Sequence, residues 1–326
     1  MTFRIEGRPV SPRITDRLYR DAHAERSALI ASLRATPASI APKYFYDRLG
    51  AALYGAICEL PEYYPTRTEH AIFEANRVEI AEAIGTGTQL IDLGAGDGAK
   101  AEGWFPFVVP ARYVALDIDA STMARTLERI AMRFPDVRVE GLVTDFTRGL
   151  DLPIDLGPEP LTFLYPGSSI GNFDPDESVE LLREVRAACN ARPGSGLLIG
   201  IDTKKEKPRL DAAYDDALGV TALFNRNVLT HVNRVAGTDF DIGAFVHRAF
   251  YDETHGRVEM HLEARTPQAV RIDGETRIFA RGERIHTENS YKYAPDEFDT
   301  LLACAGFATV RRWQDPLRDF AVFWAA

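Results

Sequence analysis

The chain has 326 residues, 45% of them hydrophobic, with 38 Lys+Arg against 48 Asp+Glu and a formal net charge of −10. A chain this long and apolar can bury a full core, which excludes intrinsic disorder and allows two domains or one with an insertion. The acidic balance argues against a general nucleic-acid or anionic-membrane binder.

Three scattered cysteines, Cys58, Cys189 and Cys304, form no CxxC pair. They fit neither a disulfide framework nor a zinc site, and they suit a reducing cytoplasm. The first thirty residues are charged throughout, so no secretory leader is expected, and no long uncharged apolar run points to a membrane span.

In chain order, a helical pattern runs from Asp21 to Leu33. Tyr44–Leu60 is unusually aromatic, with helical spacing in its second half. Pro61 and Pro65 bracket an extended turn, after which Thr66 is expected to N-cap a helix from Arg67 to Ile84. From Gln89 the pattern changes. Five short apolar runs occur in succession: QLIDL from Gln89, then Tyr113–Asp119, Val137–Phe146, Pro160–Ser169 and Gly196–Asp202. Helical stretches at 121–134 and 175–189 lie between them. That alternation predicts βαβ units and an α/β fold whose parallel sheet is covered on both faces.

After Asp202 the alternation stops. Helical text broken at Gly219 leads into two strands, Arg248–Arg265, joined by a turn at Thr254–Gly256. On the second strand Val258, Met260 and Leu262 share one face, and Glu259, His261 and Glu263 the other. His247, His255 and His261 lack a metal-ligand spacing, so a solvated hairpin is expected and no metal site. Strand-like text continues to about Tyr293. The helix PDEFDTLLACAGF and two strands, TVRRWQD and FAVFWAA, close the chain.

The chemistry concentrates in a few segments. Leu90–Lys100 reads as a strand running into a glycine-rich turn and then a helix. Gly94, Gly96 and Gly98 let the backbone turn sharply and approach a ligand. Asp117, 21 residues beyond Gly96, ends the next strand, where a carboxylate can accept from a ribose diol. GAGDGA also fits a nicotinamide fingerprint. Two features favour S-adenosylmethionine instead: Asp92 ahead of the glycines, and the acid–aromatic pair Asp145–Phe146 at the end of the third strand, placed to bond and stack on adenine.

YPGSSIGNFDP comes after the fourth strand, at the edge of the sheet where open α/β folds bind ligands. It can present the Gly167 backbone and the donor–acceptor amide of Asn172 to an amino-acid substrate. An Asx turn or helix cap is the alternative role for Asn172. Glu288 and Ser290 in HTENSYKY fall on one strand face, where they can hold an imidazole.

FYD, LPEYYPTR, DLGAGDGAK, DFTRGLDLP, PGSSIGN, AAYDD, FNRNVL, VEMHLEA and TENSYK, in that order, resemble the ergothioneine-pathway L-histidine Nα-methyltransferase family, which makes hercynine. The resemblance spans Tyr44 to the C-terminus. It implies a Rossmann-like class I methyltransferase domain (63–202 and 293–326) and a second, α+β substrate-binding domain (1–62 and 203–292). It places cofactor contacts on Gly94, Gly96, Lys100, Asp117, Asp145 and Phe146. Asn172 and Tyr214 are implied at the substrate α-carboxylate, with Tyr46 and Gly167 near the amine. Tyr54, Tyr63, Met260, Glu288 and Ser290 are implied around the rest of the pocket. Tyr54 stands where some members have phenylalanine. Tyr46 and Asn172 are the candidate catalytic residues. A monomer in the cytoplasm acting on a small-molecule amino acid is expected, with N-methylation of another aromatic amino acid as the alternative.

Overall fold

The computed structural model describes residues 12–17, 22–152 and 155–326. Elements are numbered in chain order. The larger sheet has eight strands, in the order β1 (Arg13–Asp16), β5 (Arg138–Val143), β4 (Arg112–Asp117), β3 (Gln89–Leu93), β6 (Leu161–Tyr165), β7 (Gly196–Asp202), β14 (Phe320–Ala325) and β13 (Thr309–Gln314). The first six run parallel, while β14 is antiparallel to both of its neighbours.

The apolar runs are continuous because both sheet faces are covered. Ile91 and Leu93 of β3 point into one layer, with Leu182 of α8 (Pro175–Asn190) and Phe298 of α11 (Pro295–Cys304). Leu90 points into the other, with Leu127 and Ile130 of α7 (Ala120–Arg133) and Ile80 of α4 (Arg77–Ile84). In α7, Met123, Leu127 and Ile130 form one stripe at helical spacing. Leu127 and Ile130 are fully buried, worth about 2 kcal/mol each.

The second sheet has the order β2 (Ala38–Ser39), β12 (Arg284–Tyr291), β9 (Arg257–Ala264) and β8 (Phe245–Asp252). Val258, Met260 and Leu262 of β9 join a separate core. Into it pack α1 (Ala22–Arg34), α2 (Arg48–Cys58), α9 (Lys207–Tyr214) and α10 (Val220–Ala236). The chain leaves the large sheet after Asp202 and returns at Tyr293, and a bridge between Thr203 and Tyr293 ties the two crossings together.

Several expectations are corrected. The helix expected from Arg67 to Ile84 is two helices, α3 (Pro65–Ala75) and α4. Pro65 takes the first helical position, where a missing N–H costs nothing, so Tyr64 rather than Thr66 is the cap. The break falls at Asn76, whose side chain donates to the Ile72 carbonyl (2.8 Å) in competition with the helix. The start of the first helix at Asp21 lies outside the described residues. The strands expected to reach Asp119, Phe146 and Ser169 stop at Asp117, Val143 and Tyr165, and the residues beyond each strand end form loops that build the site. Arg13–Asp16, grouped by expectation with the second domain, pairs instead with β5 at the edge of the large sheet.

The hairpin histidines are not uniformly solvated. His247 is buried, bonded to the Asn225 amide and the Tyr214 carbonyl (both 2.8 Å). His261 is half-buried, stacked on Phe250 and paired with Glu259 (2.9 Å). Of the three, His255 alone is exposed. Among the described residues, no cluster of His, Cys, Asp or Glu can hold a metal ion, and no helix is long and apolar enough to cross a membrane.

Candidate active site

The glycine motif forms the turn between β3 and the next helix. Gly94, Gly96 and Gly98 all have positive φ, a conformation that costs other residues dearly. The Gly96 N–H donates to Asp117 Oδ2 (2.7 Å), and the Asp119 N–H donates to its Oδ1 (2.9 Å). The carboxylate at the β4 terminus is thereby fixed against the glycine turn. Asp92 lies buried under the turn and accepts from the Tyr113 hydroxyl (2.8 Å). Burial pushes its pKa up to about 7.

Asp145 caps the turn after β5, accepting from the Thr147 hydroxyl (2.5 Å) and from Lys43 Nζ (2.8 Å). Phe146 beside it meets Tyr165 edge-on at 5.9 Å. Lys100 Nζ is paired with Glu69 Oε2 (2.5 Å). The six expected cofactor residues thus lie along the carboxyl ends of β3, β4 and β5, an open edge able to hold an extended nucleoside.

A pocket opens beside this edge, between the two sheets. It is lined by all nine expected substrate residues: Tyr46, Tyr54, Tyr63, Gly167, Asn172, Tyr214, Met260, Glu288 and Ser290. Ile57, Ser168, Asp202, Thr221 and Phe224 complete much of its wall.

Three local devices place these side chains. First, the turn Ser169–Asn172 presses against β12. A Cβ on Gly171 would lie 2.6 Å from the Tyr291 carbonyl oxygen, so only glycine permits this approach. The Asn172 amide makes no hydrogen bond among the described residues. The helix cap is Asp174, in a capping box with Glu177, which leaves Asn172 free to meet a ligand.

Second, β12 carries a bulge between His286 and Glu288, opposite the single step from His261 to Met260. The extra residue, Thr287, donates its hydroxyl to the Met260 carbonyl (3.0 Å). The bulge shifts the side-chain phase, so Ile285, Glu288 and Ser290 are all buried on the inner side. Third, the four pocket tyrosines stand edge-to-face in a chain. Tyr46–Tyr54, Tyr54–Tyr63 and Tyr63–Tyr214 have ring centroids 5.8, 6.4 and 6.2 Å apart.

The electrostatics are uneven. Glu288 has no hydrogen-bond partner among the described residues, and burial raises its pKa to about 7. Burial also lifts the hydroxyl pKa values of Tyr46 and Tyr63 well above the ordinary phenol value, so both stay protonated.

Reasoning from sequence missed three residues. Glu69, 1% exposed, joins the two halves of the site: one oxygen takes Lys100 and the other accepts from the Gly167 N–H (2.7 Å). Its signal was available, since it sits with Pro65, Ile72 and Phe73 on the buried face of α3. Lys292, 1% exposed, is a third polar side chain two residues after Ser290 and pairs with Asp202 (2.9 Å) at the base of the pocket. Lys43 on Asp145 gave no local signal, because its partner is 102 residues away.

A glycine turn at a parallel strand, an acid on the next strand end, an acid–aromatic pair on the third and an antiparallel strand closing the sheet define an S-adenosylmethionine-dependent class I methyltransferase. Comparison of the chain with known proteins narrows this further. Residues 25–326 match the model of the histidine-specific, S-adenosylmethionine-dependent methyltransferases, and the chain belongs to that family. It is 40% identical to the histidine N-alpha-methyltransferase of Mycolicibacterium smegmatis, over 92% of this chain and 94% of that protein. The protein of the same description from Mycobacterium tuberculosis is 38% identical over 93% and 95%. Ergothioneine biosynthesis protein 1 of Neurospora crassa is 29% identical over 85% of this chain but only 32% of its own length.

Proposed function

We propose that this enzyme transfers three methyl groups in succession from S-adenosylmethionine to the α-nitrogen of L-histidine, forming hercynine for ergothioneine biosynthesis. The carrying observation is Glu288: a buried carboxyl without a partner among the described residues, facing a pocket into which Met260, Phe224 and four tyrosines also project. An unpaired buried carboxyl is costly to keep, and an imidazole N–H is the partner it lacks. Asn172 and Tyr214 receive the α-carboxylate at the other end, and Tyr46 and the Gly167 backbone flank the amine. Gly94, Gly96, Lys100, Asp117, Asp145 and Phe146 hold the cofactor, whose sulfonium supplies the methyl group.

The protein contributes alignment of nitrogen, methyl carbon and sulfur, together with exclusion of water. Tyr46, kept protonated by burial, serves as a hydrogen-bonding partner of the neutral amine and not as a phenolate base, so the proton left on nitrogen by each of the first two transfers passes to solvent before the next, and S-adenosylhomocysteine leaves each time. Among the described residues, two lobes, one drawn from 63–202 with 293–326 and the other from 22–62 with 203–292, flank the substrate pocket. We read the enzyme as a cytoplasmic monomer, the cytoplasm being the reducing compartment that its three scattered cysteines suit.

The test is direct. The protein is incubated with S-adenosylmethionine and a panel of amino acids, and products are resolved by mass. Histidine heavier by one, two and three methyl groups supports the reading. Methylation of tryptophan in preference to histidine overturns it.

A further inference from the structure

Beneath Tyr214 and Ser290 lies a fully buried charge cluster. Lys292 Nζ is 2.8 Å from Tyr214 Oη, 2.8 Å from Ser290 Oγ and 2.9 Å from Asp202 Oδ2. An ammonium has three hydrogens and no acceptor, so these partners use all of them. Tyr214 Oη and Ser290 Oγ are themselves 2.8 Å apart. Between the two hydroxyls there are two hydrogens. One lies in their mutual bond. The other has no acceptor among the described residues, and both residues line the pocket. Both oxygens accept from Lys292, so the surplus hydrogen is turned away from the ammonium, toward the ligand.

The local charge has the same sense. Asp202 also takes Lys205 Nζ (2.5 Å), so its charge is shared between two ammonium groups and does not belong to Lys292 alone. The pocket lining itself contains no lysine or arginine among the described residues.

We infer that Lys292 is the positioning residue for the substrate's carboxylate: acting through Tyr214, whose hydroxyl Ser290 also meets, it turns the Tyr214 hydroxyl into an obligate donor to the carboxylate and supplies the positive charge that the lining lacks. This rests on the amino-acid substrate proposed above. Burial lowers the pKa of Lys292, but the Asp202 carboxylate and the Tyr214 hydroxyl more than reverse that, and it stands above the ordinary lysine value. The ammonium is therefore permanent at neutral pH. A charge one hydroxyl removed from the ligand leaves the donor short and rigid, whereas a lysine in the lining would have to be desolvated with each substrate.

The test compares histidine with histamine, which keeps the imidazole and amine but lacks the carboxylate. Affinities are measured by calorimetry in the presence of S-adenosylhomocysteine for the wild type, Lys292→Met and Tyr214→Phe. In Lys292→Met, Asp202 keeps Lys205 and the Tyr64 hydroxyl (2.7 Å) as partners. Tyr214→Phe leaves the Lys292–Asp202 pair intact and so yields a result even if the lysine variant does not fold. Both variants should lose histidine affinity by roughly tenfold to a hundredfold, the range of a charge-assisted hydrogen bond. Histamine affinity should change little, so the preference for the carboxylate collapses. Equal losses for both ligands, or a preference left intact in either folded variant, overturn the inference. Failure of the wild type to bind histidine at all would instead count against the proposed substrate.

Discussion

At the scale of single residues, the site keeps polar groups that a stable core would satisfy. Glu288 is the clearest, and its cost has a defined pH signature. Its carboxyl has a pKa of about 7 when folded and 4.5 as a free side chain. The folded state therefore holds this proton longer than the unfolded state does. The resulting stability is complete below the unfolded value and is lost as pH rises through the folded one. Between those limits the ligand-free enzyme should lose up to about 3 kcal/mol from this group. Glu288→Gln removes the ramp. Urea unfolding at a series of pH values should show the variant gaining on the wild type between about pH 5 and pH 7.5, by about 1–3 kcal/mol. A gap that stays flat with pH would mean Glu288 finds a partner in the free enzyme. Asn172 behaves differently, because its amide bonds nothing among the described residues. Asn172→Ala should leave unfolding and S-adenosylhomocysteine binding unchanged while raising the histidine KM by roughly tenfold or more. Near-normal kinetics in that variant would remove Asn172 from the site.

At the scale of elements, the features legible in the sequence are those that local pattern controls. The continuous apolar runs, the glycine turn and the roughly four-residue stripe on α7 are each written within one short segment, and each folded as that segment required. Pairing of Glu288 with Ser290 on one face comes from the alternation of a strand. Which face that is does not, because it depends on the bulge at Thr287, and a bulge is a property of two paired strands. The break between α3 and α4 was hidden for a similar reason: Asn76 ends the helix with one side-chain bond in an otherwise continuous helical pattern. Thr287 offers a test of the bulge. Thr287→Val keeps the volume but deletes the bond to the Met260 carbonyl, leaving that oxygen without a hydroxyl partner. We expect a loss of about 1–2 kcal/mol in stability, with weaker selection of histidine over tryptophan and unaltered binding of S-adenosylhomocysteine. Retained selectivity in a destabilised variant would show that the strand holds Glu288 in place without the threonine.

At the scale of the molecule, the two sheets are joined where no single segment reveals it. The chain crosses between them at 202–203 and 292–293, and there the Thr203–Tyr293 bridge and the Asp202–Lys292 pair lock the crossings side by side. A second tie is longer in range. Lys43 lies on the short helical turn Pro42–Phe45, immediately before Tyr46, and its ammonium reaches both Glu25 and the Asp145 carboxylate at the expected adenine end of the large sheet. Burial opposes ionisation of Asp145, but Lys43 and the Thr147 hydroxyl outweigh it and hold the group as a carboxylate. The residue expected to grip adenine and the segment carrying Tyr46 are thus joined through one ammonium. Occupation of the cofactor cleft should then order the substrate pocket, and the reverse must hold to the same extent, because coupling between two binding sites is reciprocal. Lys43→Met, which cuts the tie without touching the pocket lining, should lower the factor by which S-adenosylhomocysteine tightens histidine binding by about fivefold or more. The factor by which histidine tightens S-adenosylhomocysteine binding should fall equally. Both are read by titrating each ligand with and without the other. An undiminished coupling in the variant would mean that the cleft and the pocket communicate through Glu69, between Lys100 and Gly167, and that Lys43 only anchors the N-terminal segment.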